Sequence, residues 1–438
     1  MPAAKSTGAI VLVLSLVVLV PPGAMAAGDD GDDDWIRTSG DILQIALPVL
    51  GGGATFFTNP DPDKKWDREG TKQFAKAYGL AWGSTYLIKI VAAKARPNGA
   101  NRTSFPSGHT MSAFAGAGFI DGRFGRAFGI PAFALALWTG YTRVHSGWHY
   151  RDDVIAGASI GMMSNWLIVS PLPGKVQFLP TVNQNGYGIQ VSVGGSGGQQ
   201  AADEQAEARP RHASYRFNFG PAFVISNTAS SKGEGDNQFV LSDLEGFNDP
   251  TTTAVVTIEF PVGARGRLGV TYGPFEARDQ GAFNYDVSFG GETYLAGTPL
   301  DSSWRFYDLT ARYDYALANS ERWGAKVGAG AGVMYSYAML ATQDQTQSAL
   351  VDDQTFYPFL GADVEYRFSH HWALVVDIAG MTIGNDWILD TGGTVIWRPS
   401  RAWDVAFGYT YLSRKIDTDT FYNDVQYSIP YLSITRFW

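Results

Sequence analysis

Three short clusters between residues 89 and 153 carry side chains able to do chemistry: KIVAAKARP at 89–97, FPSGH at 105–109 and TRVHSGWHYRDD at 142–153. Three of the chain's six histidines lie in them. Lys89 and Arg96 are seven apart, two turns of a helix, a spacing that points both cations from one face. Arg143 adds a guanidinium whose planar fork matches two oxygens of a phosphate. Ser107 and Gly108 follow Pro106 and open a helix, where unbonded N–H groups and the macrodipole favour an anion. His149 and Asp153 are four apart, so one helical turn can set the carboxylate against one ring nitrogen and leave the other as a nucleophile. His109, one turn into its own helix, can protonate a leaving group. Cations, helix-start amides, two imidazoles and an orienting carboxylate suit a phosphoryl group in transfer, whose charge spreads over its equatorial oxygens.

The blocks Lys89-x6-Arg96-Pro97, Pro106-Ser107-Gly108-His109 and Arg143-x5-His149-x3-Asp153 stand in order. Together they resemble the three-part signature of the type 2 phosphatidic acid phosphatases, a superfamily that includes bacterial class A acid phosphatases and vanadium haloperoxidases. The resemblance covers about residues 40–182. It implies a helical bundle in which His149 attacks phosphorus to form a phosphohistidine, Asp153 orients it and His109 protonates the departing oxygen. It also implies that Lys89, Arg96, Arg143, Ser107 and Gly108 hold the phosphate oxygens, and that hydrolysis needs no metal or other cofactor. The third block opens Thr142-Arg143 where the family usually has Ser-Arg, a change that keeps the hydroxyl.

Neighbouring polar residues have plainer readings. Lys94 and Arg102 read as solvated cations, His145 as a packing histidine, and Asp152, out of step with His149, as a surface acid. His370 and His371 fall at a turn, and a metal site needs more partners than the sequence offers them.

The elements expected to position the site are helices, over residues 41–57, 68–95, 107–119, 127–141 and 153–169. In the second, Phe74, Tyr78, Trp82 and Tyr86 recur at helical steps, and Pro97-Asn98-Gly99 stops it. Residues 35–182 therefore read as all-α. The stretch 154–174 is uncharged and long enough to cross a bilayer, but Ser159, Ser164, Asn165 and several glycines favour a buried core helix.

A length of 438 residues implies two domains. The net charge of −9 argues against a nucleic-acid partner, and the absence of cysteine excludes thiol nucleophiles, disulfides and zinc–thiolate sites. Lys5, the apolar run 9–20 and Ala24-Met25-Ala26 have the three parts of a signal peptide over residues 1–26. The acidic GDDGDDDW at 28–35 reads as a solvated leader. Residues 194–212, GGSGGQQAADEQAEARPRH, read as a linker between a helical domain at 27–193 and a second domain at 213–438.

In the second domain the period changes to two. Tyr215, Phe217 and Phe219, then Val256, Ile258 and Phe260, then Tyr307, Leu309, Ala311 and Tyr313 alternate with polar residues. Successive strands with one apolar face and one face of Asp, Arg, Thr and Gly indicate an antiparallel transmembrane β-barrel of outer-membrane type, ending on an aromatic strand at Phe437 and Trp438. Trp304, Trp323, Trp372, Trp387 and Trp403 are expected in interfacial girdles. Eleven strands are legible, and the even number such barrels require makes twelve, with residues 238–244 or else 187–193 supplying the missing one. Ten follows instead if one strand has been split in two. Residues 343–354 and 414–426 are expected as outer loops, and 369–371 and 399–401 as periplasmic turns.

A barrel chain must cross the inner membrane fully, and true transmembrane helices upstream would hold it back. The helical domain is therefore expected in the periplasm. The expected function is a phosphatase acting on a phosphorylated lipid or a small phosphate ester, tethered to the outer membrane by its own barrel. Outer-membrane lipid and the barrel-assembly machinery are its expected partners. Two alternatives stay open: a haloperoxidase with vanadate as cofactor bound through His149, and an outer-membrane pore or structural barrel with a non-catalytic helical domain.

Overall fold

The structure, a computed structural model, describes residues 33–59, 63–171, 176–183, 186–193, 213–244 and 250–438. The expected signal peptide and linker lie outside these residues. The chain divides into two compact units, one running to Ala208 and the other Arg209–Phe437.

The first unit is built on five helices: α1 (Asp33–Ala54), α2 (Arg68–Ala92), α3 (Gly108–Phe124), α4 (Arg126–His145) and α5 (Arg151–Ile168). Helix α1 begins inside the acidic leader, where the Asp34 carboxylate suits the positive end of the macrodipole. Helix α2 stops earlier than expected. Ala93 turns left-handed (φ 43°) and its N–H returns to the Lys89 carbonyl, so Arg96 lies beyond the helix. A chain reversal, not helical spacing, therefore carries Arg96 to the site. Residues 176–182, expected in the all-α part, belong to β1 (Val176–Asn183), which pairs with β2 (Gly186–Val193). Residues 187–193 are thus not a barrel strand. No described helix is long and apolar enough to cross a membrane.

Small residues set the helix spacing. A Cβ on Gly157 would stand 2.4 Å from the Ser107 carbonyl oxygen, so α5 crosses directly over the start of α3. Asp67 caps α2 by accepting from the Gly70 N–H (2.9 Å), and the buried Arg123 at the end of α3 donates to the same carboxylate through Nε and Nη2 (2.8 and 2.7 Å). Polarity along α2 is inverted. It buries Gly70, Gln73, Ala77, Ala81 and Thr85, and exposes Leu80, Trp82, Tyr86, Leu87, Ile90 and Val91.

The second unit closes into a ten-stranded antiparallel barrel. Its ring runs β3 (Ser214–Ser230), β5 (Thr251–Val262), β6 (Gly266–Gly281), β9 (Leu300–Asn319), β10 (Trp323–Thr342), β11 (Ser348–Arg367), β12 (Trp372–Ile383), β13 (Asp386–Ser400), β14 (Trp403–Asp417) and β15 (Tyr422–Phe437), and β15 pairs back to β3. The count is ten, not twelve. Residues 238–244 supply only the outer strand β4 (Phe239–Val240) and a 3-10 turn, while the stretch 281–291, legible as a strand, contributes to a small hairpin, β7 (Val287–Phe289) with β8 (Glu292–Tyr294). Their alternating apolar residues have another use. Phe239, Leu241, Phe283 and Phe289 join Trp304 and Met334 in a buried cluster whose members come from most strands of the ring. One end of the barrel is therefore filled, and Trp304 sits inside it, not in a girdle. Residues 343–354 and 414–426 are mostly strand; the long connections are 231–250 and 282–299.

On the outside, Trp372, Leu374, Val376 and Ile378 of β12 are all exposed. Inside are ion pairs: Arg312–Asp363 (2.7 Å), Arg267–Glu259 (3.1 Å) and Arg414–Asp308 (2.8 Å). An apolar wall around a charged interior is the reverse of a soluble protein and the pattern of a barrel facing hydrocarbon. At the end that carries both chain termini of the ring, Trp323 packs on Tyr366 (4.7 Å) and Trp372 on Trp397 (6.4 Å), an aromatic band of the expected kind.

Candidate active site

The three sequence clusters meet in the helical unit. Arg143, at the last turn of α4, accepts on its carbonyl the N–H groups of Trp148 and His149 (3.1 and 3.2 Å), folding 146–149 back toward the start of α5. Asp153 sits at the third position of α5 and caps it, accepting from the Tyr150 N–H (2.9 Å) and from Ser104 Oγ (2.5 Å). His149 Nδ1 stands 3.4 Å from the same carboxylate oxygen, and Lys94 Nζ lies 3.3 Å from the other one. Lys94 also donates to Asp152 at 2.6 Å.

Lys94 and Asp152 are thus neither solvated nor superficial. The left-handed turn at Ala93 folds Lys94 under the 103–105 loop, over the ring of Tyr150 (4.4 Å), and both charges are buried as a pair. The remaining polar neighbours stay peripheral. Arg102 is exposed and donates to the Ala93 carbonyl, His145 stacks on Tyr141 (5.4 Å), and His371 lies 2.9 Å from the Arg398 carbonyl. Among the described residues no three His, Asp or Glu groups gather as metal ligands.

The groups expected to bind an anion surround this core. Ser107 caps α3, its Oγ accepting from the Thr110 N–H (3.4 Å). The first N–H groups of α3, starting at Gly108, have no partner within the helix. Arg96 lays its guanidinium over the Trp148 ring (4.9 Å), and its buried Nε has no hydrogen-bond partner among the described residues. Lys89 donates to the Thr103 carbonyl (2.6 Å). Arg143 is held by Thr142 Oγ1 (3.1 Å), Asp41 Oδ1 (2.7 Å) and the Arg37 carbonyl (2.6 Å), and the same Asp41 oxygen is 3.1 Å from His109 Nε2.

Protonation follows from this crowding. Burial would raise the Asp153 carboxyl, but Lys94, His149 and Ser104 outweigh it and hold Asp153 at about 2. Burial lowers His149, opposed by Asp153 and aided by Lys89 and Arg96, so the imidazole is neutral at neutral pH. Burial, Arg143 and His149 push His109 down to about 4, against Asp41. Burial draws Lys89 down to about 8, with Asp153 opposing and Arg96 assisting.

Sequence reasoning did not find Asp41, Ser104, Trp148 or the buried role of Lys94. Asp41 lies outside all three clusters, and Lys94 depends on a left-handed alanine that no glycine announces.

Lys89, Gly108 and His109 line a groove of about 830 Å³ together with Ile45, Val49, Phe74, Trp82 and Tyr86.

Residues 45–175 match the family model of the PAP2 superfamily. Over 171 residues the chain is 30% identical to the lipid A 4'-phosphatase of Helicobacter pylori strain J99, a match covering 36% of this chain and 81% of that protein. The chain belongs to the PAP2 superfamily. Its PAP2 domain is also similar to the lipid A 1-phosphatase of Porphyromonas gingivalis, 30% identical over 105 residues, 23% of each chain; the match thus spans about a quarter of that relative's length. Among solved structures, LpxE of Aquifex aeolicus aligns with 36% of the chain and 92% of its own at 21% identity and a TM-score of 0.27. The outer membrane protease OmpT of Escherichia coli aligns with 54% of the chain and 99% of its own at 7% identity and a TM-score of 0.37.

Proposed function

We propose that this PAP2 protein is a phosphatase that removes phosphate from a lipid-linked ester through a phosphohistidine, and that its barrel holds it in the outer membrane with the PAP2 domain in the periplasm. The observation that carries the reading is the buried, neutral His149 beside an ionised, Lys94-anchored Asp153, set among Lys89, Arg96, Arg143 and His109.

In this reading Asp153 takes the Nδ1 proton of His149 as a hydrogen bond and leaves the Nε2 lone pair to attack phosphorus. Arg96, with its unpartnered Nε, Lys89, Arg143 and the first N–H groups of α3 take the equatorial oxygens. The phosphorus–ester bond breaks as His109 gives its proton to the leaving oxygen. Because His109 is held near 4, it gains that proton only once a phosphate dianion adds its own negative charge nearby. Water, deprotonated by His109, then attacks the phosphohistidine and releases inorganic phosphate.

The lipid reading is supported by the groove that Lys89 and His109 help to line, and by the inverted polarity of α2, which faces Leu87, Ile90 and Val91 outward. Lipid A phosphatases among the relatives accord with it. The apolar barrel wall supports membrane insertion, and its filled end favours a tether over an open pore. The test is phosphate release from lipid A, phosphatidic acid and a soluble monoester by wild type and His149→Ala. Retention of activity in that variant would sink the mechanism, and a preference for the soluble ester would sink the lipid assignment.

A further inference from the structure

Asp41 belongs to none of the three clusters, yet one oxygen of its carboxylate reaches two of the groups they supply. Oδ1 lies 2.7 Å from Arg143 Nη1 and 3.1 Å from His109 Nε2. This one anionic oxygen engages two groups that the mechanism above gives to the ester, Arg143 for an equatorial oxygen and His109 for the leaving oxygen. The carboxylate and the ester cannot both engage them at once.

The carboxylate is also free to leave. The Asp41 side chain is 44% exposed, whereas that of Arg143 is 3% exposed. The guanidinium is fixed from two further sides, by Thr142 Oγ1 and by the Arg37 carbonyl, so it stays in place when the carboxylate turns toward solvent. Nor does α1 depend on Asp41 for its seat. Trp138 Nε1 donates to Ser39 Oγ (2.8 Å), and Ser112 Oγ donates to the Gln44 carbonyl (2.6 Å), on either side of it. What brings Asp41 so close is its neighbour. A Cβ on Gly40 would stand 2.0 Å from Thr142 Oγ1 and 2.7 Å from Arg143 Nη2, so only glycine lets α1 run this near the end of α4.

We propose that Asp41 is an internal competitor for the phosphate site: its carboxylate occupies Arg143 and His109, gives way when the ester binds, and returns to drive inorganic phosphate out. The proposal rests on the phosphatase reading of the site. It assigns Asp41 to substrate affinity and product release, not to a chemical step. A dianion within about 4 Å of the carboxylate meets a repulsion that a neutral amide of the same shape does not exert.

The experiment measures inhibition by orthophosphate, together with KM and kcat for a soluble phosphomonoester, and direct orthophosphate binding by calorimetry. It uses the full chain in detergent, as wild type, Asp41→Asn and Asp41→Ser, with circular dichroism as the check on folding. Both neutral variants are expected to bind orthophosphate about tenfold more tightly, with KM falling in step and kcat falling where phosphate release limits turnover. Affinity unchanged or weakened in both variants overturns the proposal and makes Asp41 a support for Arg143 or His109. Wild type that binds and hydrolyses nothing, beside a variant that binds phosphate, upholds competition while removing the phosphatase reading. If neither binds phosphate, both fall.

Discussion

Replacing Lys94 by Met tests whether Asp153, the partner of the proposed nucleophile His149, is held by a buried charge two residues beyond a helix end. In the folded protein the ammonium faces Asp152 at 2.6 Å and Asp153 at 3.3 Å, with all three side chains shielded from solvent. Asp153 is held at about 2 against an ordinary 3.8, a difference of roughly 2 kcal/mol in favour of the ionised fold. Because the folded value is depressed, this contribution is complete above about pH 4 and is lost as pH falls through about 2. Met fills similar volume but leaves two buried carboxylates facing each other. Breaking a buried pair in this way costs about 3–5 kcal/mol. Amide hydrogen exchange of the detergent-held full chain at pH 7 reads that loss over α5 as exchange at least about a hundredfold faster. The pair Lys94→Met, Asp152→Asn removes one of the two charges and is expected to recover half or more of the protection. Exchange within threefold of wild type in the single variant, or no recovery in the double, would refute the reasoning.

Lys89, drawn down to about 8, loses its charge as pH rises through that value, so KM should climb above about pH 8; a steady-state pH profile reads this, and Lys89→Arg should move the rise to higher pH. Gly40→Ala forces a methyl group into Thr142 and Arg143, and is expected to lower kcat/KM at least tenfold while the β-sheet signal of the barrel in circular dichroism is unchanged. Arg414→Met strands Asp308 and Asp390 inside the barrel and should cost about 3 kcal/mol, seen as a lower unfolding temperature of the barrel in detergent. Planar bilayers carrying the wild-type chain should show no steady channel, because the cluster around Phe239, Phe289 and Trp304 fills one end of the ring.

Much of this architecture was legible because each period has one cause. Helical steps from Arg68 and strict alternation after Tyr215 gave the element types correctly, but α2 ends at Ala92 and turns its apolar residues outward. The strand count did not read correctly, since alternation in Phe283, Val287 and Phe289 looks the same whether a strand crosses a membrane or packs into a barrel mouth. Trp304 failed for the same reason, as sequence does not say which side of the wall a ring faces. In the site, His109, His149, Asp153, Lys89, Arg96 and Arg143 were visible as residue types with motif spacing. The side chains that hold them were not. Lys94 depends on a backbone reversal, and Asp41 on how closely two helices approach.

The pairing of β3 with β15 closes the ring across the whole length of the unit: Asn423 donates to Asn227, 196 residues earlier. Contacts of such sequence separation form late, because loop-closure entropy must be met before they are made. Until β15 arrives, β3 presents an open edge and the aromatic side chains at the barrel mouth have no enclosing wall. The ring strand furthest along the chain is thus the one that seals the seam. A chain lacking β15 would lose that strand's two interfaces and leave two edges open to neighbouring chains.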